Sequence, residues 1–180
     1  MSRLLSNDRG AAVIEMALIA PVLALGVIGI VDVSNAYSKK LALEQGAQRA
    51  IEKIMNTTEN ASVESTLATE AVCQVNGTTT TTSTSGTTTT CNTSPITTSD
   101  VTVSWRLDCT TGGVTTSTST TSSTTYDAAV AACTSPSTKA GYVEVQVRDK
   151  YSPLFPIHFA AFNTSDSTYH LSATAGTRTF

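Results

Sequence analysis

The side chain with the most to explain is a single carboxylate. Glu15 lies in "RGAAVIEMALIAP", residues 9–21, with Ile14 before it and Met16, Ala17, Leu18 and Ile19 after it. A charge at the centre of a membrane helix costs ~2.5–3.5 kcal/mol on insertion scales, so Glu15 needs a partner cation. Arg9 is six residues away and poorly placed on the same helix face. A cut after Gly10 would supply a better partner. The new amino terminus at Ala11 would place an ammonium one helical turn before Glu15, at the i, i+4 spacing, in the same chain or a neighbouring one. In low dielectric such a pair offsets much of the desolvation cost. The chemistry implied is hydrolysis of the Gly10–Ala11 bond by another protein, followed by charge neutralisation. The competing reading is an uncleaved signal anchor, in which Glu15, one turn inside the apolar run, snorkels to the interface.

Four cysteines, Cys73, Cys91, Cys109 and Cys133, all follow the apolar run. An even number in a polar segment beyond a membrane helix suggests two disulfides in an oxidising compartment, against the alternative of free thiols in a reducing one. Of the three possible pairings, Cys73–Cys91 and Cys109–Cys133 each tie off one Thr/Ser tract at its base. Closing loops of that size stabilises by ~3 kcal/mol on the chain-entropy model. With no C-x-x-C pair, zinc-ribbon and thioredoxin-type sites are not expected. The two histidines, His158 and His170, flank a polar turn and read as surface residues rather than ligands. H-E-x-x-H, G-x-S-x-G and phosphate-cradling glycine loops are absent. We therefore expect no enzyme, no cofactor, no metal and no small-molecule substrate. Eleven Lys+Arg against 14 Asp+Glu, a net charge of −3, give no basis for nucleic-acid binding.

The elements that must position these groups follow from hydropathy. Met16 to Val31 carries no charge, and Ala11 to Val31 is 21 residues long. At ~1.5 Å per residue that spans roughly the thickness of a bilayer core. It exceeds the ~7–15-residue apolar core of a cleaved secretory signal. Pro21 can kink this helix, and Gly26 and Gly29 permit close packing. The helical period continues past Asp32: Val33, Ala36, Tyr37, Leu41, Ala47, Ala50, Ile51 and Ile54 recur at spacings of three and four. One helix thus reads as half membrane span and half amphipathic stem. A weaker helix is expected over 62–72, and a single helical turn over 127–132. Strands are expected at Val101–Leu107, Tyr142–Arg148 and Tyr169–Ala175, with alternation that buries one face. Trp105 and Tyr142 read as core anchors. Pro153 and Pro156 bar "YSPLFPIHF" from a central strand. The tracts at 78–90 and 115–125, almost all Thr and Ser, read as exposed loops, with a ragged hairpin as the alternative and an adhesive or glycosylated surface as the sharper reading. Five N-x-[ST] triplets arise readily by chance in such sequence.

Gly10, four residues, then Glu15 at the head of an apolar helix resembles the processing motif of type IV pilins and pseudopilins. The longer stretch "RGAAVIEMALIAPVLALGVIGIVDVSNAY" more closely resembles the TadE-like family of the tight-adherence (Tad, or Flp) pilus system. The resemblance rests on Arg9, Gly10, Glu15, Ala20, Pro21, Gly29, Ile30, Val31, Asp32 and Tyr37. Met16 departs from it, since an aromatic residue usually follows the glutamate. "YVEVQVRDKYSPLFP" and "HLSATAGTRTF" look like that family's late strands.

The resemblance implies a minor pilin or pseudopilin that takes part in pilus assembly. Its expected parts are a leader over 1–10, a transmembrane helix over 11–32, an amphipathic stem over 33–56 and an extracytoplasmic α+β domain over 57–180. The helix would pack its second half on a small antiparallel sheet. Gly10, Ala11 and Glu15 would form the processing site, and Glu15 and Pro21 would serve assembly and register. Expected partners are the inner membrane, a prepilin peptidase, other pilins and assembly-platform proteins. The amino end would be cytoplasmic and the carboxyl-terminal domain periplasmic in a bacterial inner membrane, with incorporation into a surface pilus. The reading from a different class is an uncleaved bitopic protein with a Thr/Ser-rich adhesive domain.

Overall fold

The computed structural model describes residues 8–56, 66–83, 86–154, 162–163 and 165–180. It divides into two units. One comprises Met1–Ser38 with Ser152–Tyr169, the other Lys39–Tyr151 with His170–Phe180.

Helix α1 runs unbroken from Asp8 to Asn56 and contributes to both units. In the second unit it is followed by α2 (Leu67–Asn76), a hairpin of β1 (Thr78–Ser83) and β2 (Gly86–Cys91), and a 3-10 turn at Thr98–Asp100. Then come β3 (Val101–Thr111), β4 (Val114–Thr120), α3 (Ser123–Ala132) and β5 (Thr138–Tyr151). Strands β6 (Phe162–Asn163) and β7 (Thr168–Arg178) complete a five-stranded sheet of order β4-β3-β5-β7-β6. This is the α+β class expected.

The sheet's core face is set by the alternation read from sequence. Strands β3 and β5 are antiparallel, with Val101 opposite Val147, Val103 opposite Val145, and Trp105 opposite Val143. Val143, Val145, Val147, Trp105 and Leu107 are buried in one cluster with the stem residues Leu43, Ala47, Ala50 and Ile51. Helix α2 adds Leu67, Ala71 and Val72, and Ile96 fills the same core. Each half-period of the strands thus meets a stripe on the helices, which is the condition for burying both.

The stem stripe agrees with the expected one at Ala47, Ala50, Ile51 and, in part, Ile54, and departs from it at its start, where Leu43 is buried in place of Tyr37 and Leu41. Leu41 is 40% exposed and Tyr37 62%, whereas Leu43 is 1% exposed. The buried positions 43, 47, 50, 51 and, in part, 54 follow the i, i+4, i+7, i+8, i+11 rule. The face is widened by Gly46, where an added Cβ would lie 3.1 Å from the Ala71 carbonyl oxygen. Helix α2 therefore approaches α1 at backbone distance there, and the small-residue positions Gly46, Ala47 and Ala50 rather than Leu41 mark the contact. Ion pairs border it: Lys53 Nζ lies 2.9 Å from Glu70, and Arg49 Nε 3.6 Å from the same side chain. Lys39 pairs with Asp149 at 3.2 Å and its ammonium sits 5.9 Å from the Tyr151 ring centre.

Both disulfides form as expected, Cys73–Cys91 and Cys109–Cys133. The stretches between them depart from the loop reading. Residues 78–90 are mostly strand: Thr78 pairs with Cys91 and the register runs unbroken to Ser83 and Gly86. Residues 114–120 pair with β3 across a two-residue turn, and Ser123 onward is helical. Gly112 (φ 58°) and Gly113 (φ 83°) supply the two positive φ values that such a turn requires. Threonine's β-branched side chain suits a strand. A run of identical residues shows no alternation, which is why the pattern did not reveal it.

Other boundaries shift modestly. Helix α2 starts at Leu67 where 62–72 was expected, and residues 62–65 lie outside the described residues. Helix α3 begins four residues before the expected turn at Asp127, with the Ser122 hydroxyl accepting from Thr125 N–H at 3.4 Å. The last strand runs to Arg178, beyond Ala175. Trp105 is a core anchor at 6% exposure, but Tyr142 is not. It is half-buried on the other sheet face, with the Arg106 guanidinium 4.3 Å from its ring centre.

The phase of the stem is testable by substitution. Leu43→Ala is expected to cost ~2–5 kcal/mol, the range for a buried leucine, and Leu41→Ala no more than ~0.5 kcal/mol, as for a surface change. Denaturant unfolding of the full chain in detergent, followed by tryptophan fluorescence from Trp105, measures both.

Candidate functional site

The apolar half of α1 is the segment in which the sequence placed the processing and assembly residues. From Ala12 the helix is long and apolar enough to cross a membrane, and none of its most apolar window is buried within the chain. Val13, Ile14, Met16, Leu18, Ile19, Val22 and Leu23 are all more than half exposed. Leaving large side chains in water around a whole helix circumference is unfavourable by ~25 cal/mol per Å². A helix apolar all round belongs in a core or a membrane, and no core in its unit covers it.

The candidate residues are all on this one helix. Gly10 is exposed and already within the helical span, and a Cβ built on it meets nothing within 4 Å. The side chain of Ala11 lies outside the described residues. Glu15, four residues on, is exposed, with no hydrogen bond or ion pair to it among the described residues. The spacing therefore puts position 11 and Glu15 on the same side, one turn apart. The helix continues on both sides of Pro21, whose ring nitrogen cannot donate to the Ala17 carbonyl one turn back. That carbonyl therefore loses its usual helical donor, a loss that neighbouring helices or water can make good.

Farther along, Gly26 and Gly29 open a shallow groove flanked by Leu25, Ile30, Val33 and Tyr37. It is almost purely apolar. The Tyr37 hydroxyl and Ser34 bring polarity only at its far end.

The charge-free run ends at Asp32, and the structure gives this residue a role the sequence reading did not. Asp32 is 5% exposed and is the one buried polar side chain among the described residues. Its Oδ1 accepts a hydrogen bond from the Leu154 backbone N–H at 2.9 Å. Leu154 lies just after Tyr151, the end of β5, past Pro153. A charged acceptor on a backbone N–H is about twice as strong as a neutral pair. The bond thus ties the chain leaving β5 to the helix within their own unit. The signal for it was present, since a lone acid closing an apolar run has to be satisfied. Its partner, a main-chain N–H 122 residues away, carries no side-chain signature. Pro156 and His158 lie outside the described residues.

A second constellation secures the base of the hairpin. Asn76 Nδ2 donates to the carbonyls of Asn92 (2.9 Å) and Ile96 (2.7 Å), while its Oδ1 accepts from Ile96 N–H at 3.0 Å. Asn92 Nδ2 donates back to the Asn76 carbonyl at 3.0 Å. Two of the five N-x-[ST] asparagines are therefore engaged in structural bonds through the amide nitrogen that glycosylation would modify.

Compared with known proteins, residues 10–51 match a family model described as TadE-like protein. No curated protein and no solved structure matches the chain. The matched residues cover the apolar span, Asp32 and the buried stem positions up to Ile51.

Removing the Asp32 carboxylate tests its tie. Asp32→Ala should cost ~1–3 kcal/mol, the penalty for an orphaned buried N–H. It should speed amide exchange at Leu154 while leaving exchange in β3 and β5 unchanged. Asp32→Asn keeps an acceptor oxygen and should retain most of the protection. Equal exchange at Leu154 in all three proteins would show that the bond does not hold the segment.

Proposed function

We propose that the chain is a minor pilin or pseudopilin that takes part in assembly of a Tad (Flp) type pilus, a reading supported by the match of residues 10–51 to a TadE-like family model. The observation that carries this reading is the apolar half of α1: a helix of membrane-spanning length, uncovered by its own chain, with Gly10 exposed before it and Glu15 one turn inside it. In this reading a prepilin peptidase cuts after Gly10. The leader carrying Arg3 and Arg9 is lost, and Ala11 becomes the amino terminus.

The mechanism follows from charge accounting. Before the cut, Glu15 is an unmatched carboxylate near the interface. After it, the Ala11 ammonium stands one turn away in the same chain, and equally near the Glu15 of a neighbouring subunit shifted by about one turn. Burying one of these charges without the other is expensive, so the pair sets axial register between subunits. The uncompensated Ala17 carbonyl at Pro21 and the groove at Gly26 and Gly29 lie within the same span, where neighbouring helices satisfy polar groups and pack closely. The globular domain would sit on the periplasmic side, where an oxidising environment suits Cys73–Cys91 and Cys109–Cys133. Other pilins and assembly-platform proteins would contact the apolar helix.

A second reading, an uncleaved bitopic protein with an adhesive Thr/Ser-rich domain, draws support from the hairpin, whose threonines are exposed on both faces.

The mature amino terminus separates the two. Mass spectrometry of the protein from native membranes should find Ala11 as the first residue. Gly10→Leu should block the cut and leave the uncut form in the membrane. Glu15→Ala should still insert and still be cut, since it removes a cost to membrane partition, but should abolish incorporation into pili. An intact Met1 or Ser2 start in cells that assemble pili would defeat the processing step and favour the uncleaved anchor.

A further inference from the structure

Two strand edges in the globular unit lack every device that normally stops an edge from pairing. Strand β4 is the outermost of the five-stranded sheet. Its register with β3 is unbroken from Thr111–Val114 to Trp105–Thr120, so no bulge twists it away. "VTTSTST" holds no charge and no proline, and all but Thr120 are exposed. Counting from the Gly112–Gly113 turn, Thr115, Ser117 and Ser119 direct their backbone N–H and C=O groups away from β3. No backbone hydrogen bond to these three residues from outside the β3–β4 ladder occurs among the described residues.

The β1–β2 ribbon repeats the pattern. Its register is unbroken, and from Gly77 to Thr90 there is no charge and no proline. Thr78–Thr82 and Thr87–Thr90 are exposed, so neither face of the ribbon covers core. A two-stranded ribbon with no buried face is marginal in water. The Cys73–Cys91 bridge and the Asn76–Asn92 bonds hold its base, but along its length it has only the two-stranded ladder and exposed hydroxyl bonds such as Thr80–Thr89, with no apolar cover.

Long regular edges are normally blunted by lysine, proline, bulges or a cover. Here both edges are bare, and they match each other: six residues in each ribbon strand, seven in β4, all uncharged. We propose that they are the two halves of one contact, in which the ribbon of one copy of this chain adds to the β4 edge of a second copy. The sheet is already stable without a partner at β4. The ribbon is not, and gains most by joining a sheet. Pairing places threonine opposite threonine or serine, which is favourable across strands, and buries no charge. Because the two halves are different patches, the contact is head-to-tail and leaves a free ribbon and a free edge at the ends of any row of copies. The inference does not depend on the pilus reading, since it concerns only the globular unit.

The test is photo-crosslinking in the full-length protein in its membrane, with a benzophenone amino acid at Ser117. A crosslinked dimer is expected, with the partner peptide mapping to residues 78–90. In a variant whose residues 78–90 are replaced by a Gly/Ser stretch of equal length, the dimer should fall at least about tenfold, the worth of one or two lost backbone hydrogen bonds. The Cys73–Cys91 bridge and the thermal unfolding midpoint should be retained, because the ribbon covers no core. Absence of a crosslinked dimer, crosslinks mapping to β4 of the second copy or to a different protein, or an undiminished dimer in the Gly/Ser variant would each overturn the proposal.

Discussion

Everything in this chain hangs on one helix having to satisfy two surroundings without a break. An α-helix meets its own backbone hydrogen bonds, so α1 can run from Asp8 to Asn56 whatever surrounds it. Its side chains cannot be so indifferent. From Val13 to Ile30 the large apolar residues point in every direction, and from Leu43 to Ile51 they form a narrow stripe. The stripe is what the sheet needs. Val143, Val145 and Val147 expose a flat apolar face that Leu43, Ala47, Ala50 and Ile51 help to close, with α2 wedged in where Gly46 lets its backbone approach. Lengthening or shifting the helix by one residue would rotate that stripe by about 100° and expose it.

Asp32 marks where the change of character happens. It is the first charge after the apolar run, and it is buried rather than solvated. The hydrogen bond it accepts from Leu154 uses the charge to anchor main chain that follows a proline and cannot join a central strand. A hydrophobic residue there would leave that N–H unpaired, and a solvated one would leave the segment unanchored. The polar ties of the other unit follow the same economy. Lys39 reaches Asp149, Lys53 and Arg49 share Glu70, and Asn76 bonds both main-chain groups of Ile96. Each joins a helix, or the end of one, to a neighbouring element: Lys39 to the end of β5, Lys53 and Arg49 to the first turn of α2, and Asn76 to the loop at Ile96.

How much of this was legible in the sequence depends on whether the signal was periodic. Three of the sheet's strands and their inward faces were, because Val101, Val103 and Trp105 alternate as cleanly as Val143, Val145 and Val147; their register and the two outer strands were not. The disulfide pairing was legible, since each bridge encloses one Thr/Ser tract. The stem was legible as a helix and, from Ala47 to Ile54, in its buried face; Tyr37 and Leu41 fit the same spacings of three and four, and only the tertiary approach of α2 at Gly46 selects Leu43 instead. The tracts were legible only as an alternative to exposed loops, the hairpin that residues 78–91 form, because in a run of Thr and Ser no face is distinguished. The long-range polar ties were not legible, as a main-chain partner leaves no trace in composition. Of the candidate site, Gly10, Glu15 and Pro21 lie on one exposed helix as read, while the residue with the clearest structural partner, Asp32, had been noted only as part of a motif.

Each of the two units also leaves a surface without a partner among the described residues. In one unit the apolar helix has no cover, and in the other a ribbon and a sheet edge are uncharged and unblunted. These surfaces cannot satisfy each other, because an apolar surface offers strand edges no hydrogen bonds and would strip them of water. Each needs a different environment: hydrocarbon or another apolar helix for the first, a β-strand for the second. A protein that must stay soluble and monomeric would carry lysines on β4 and an acidic or basic face on α1. This one does neither, and its net charge of −3 over 180 residues is too small to keep copies apart by repulsion. The same composition that gives the helix no reason to remain in water gives the strands no reason to remain alone, so each unit by itself favours association over isolation.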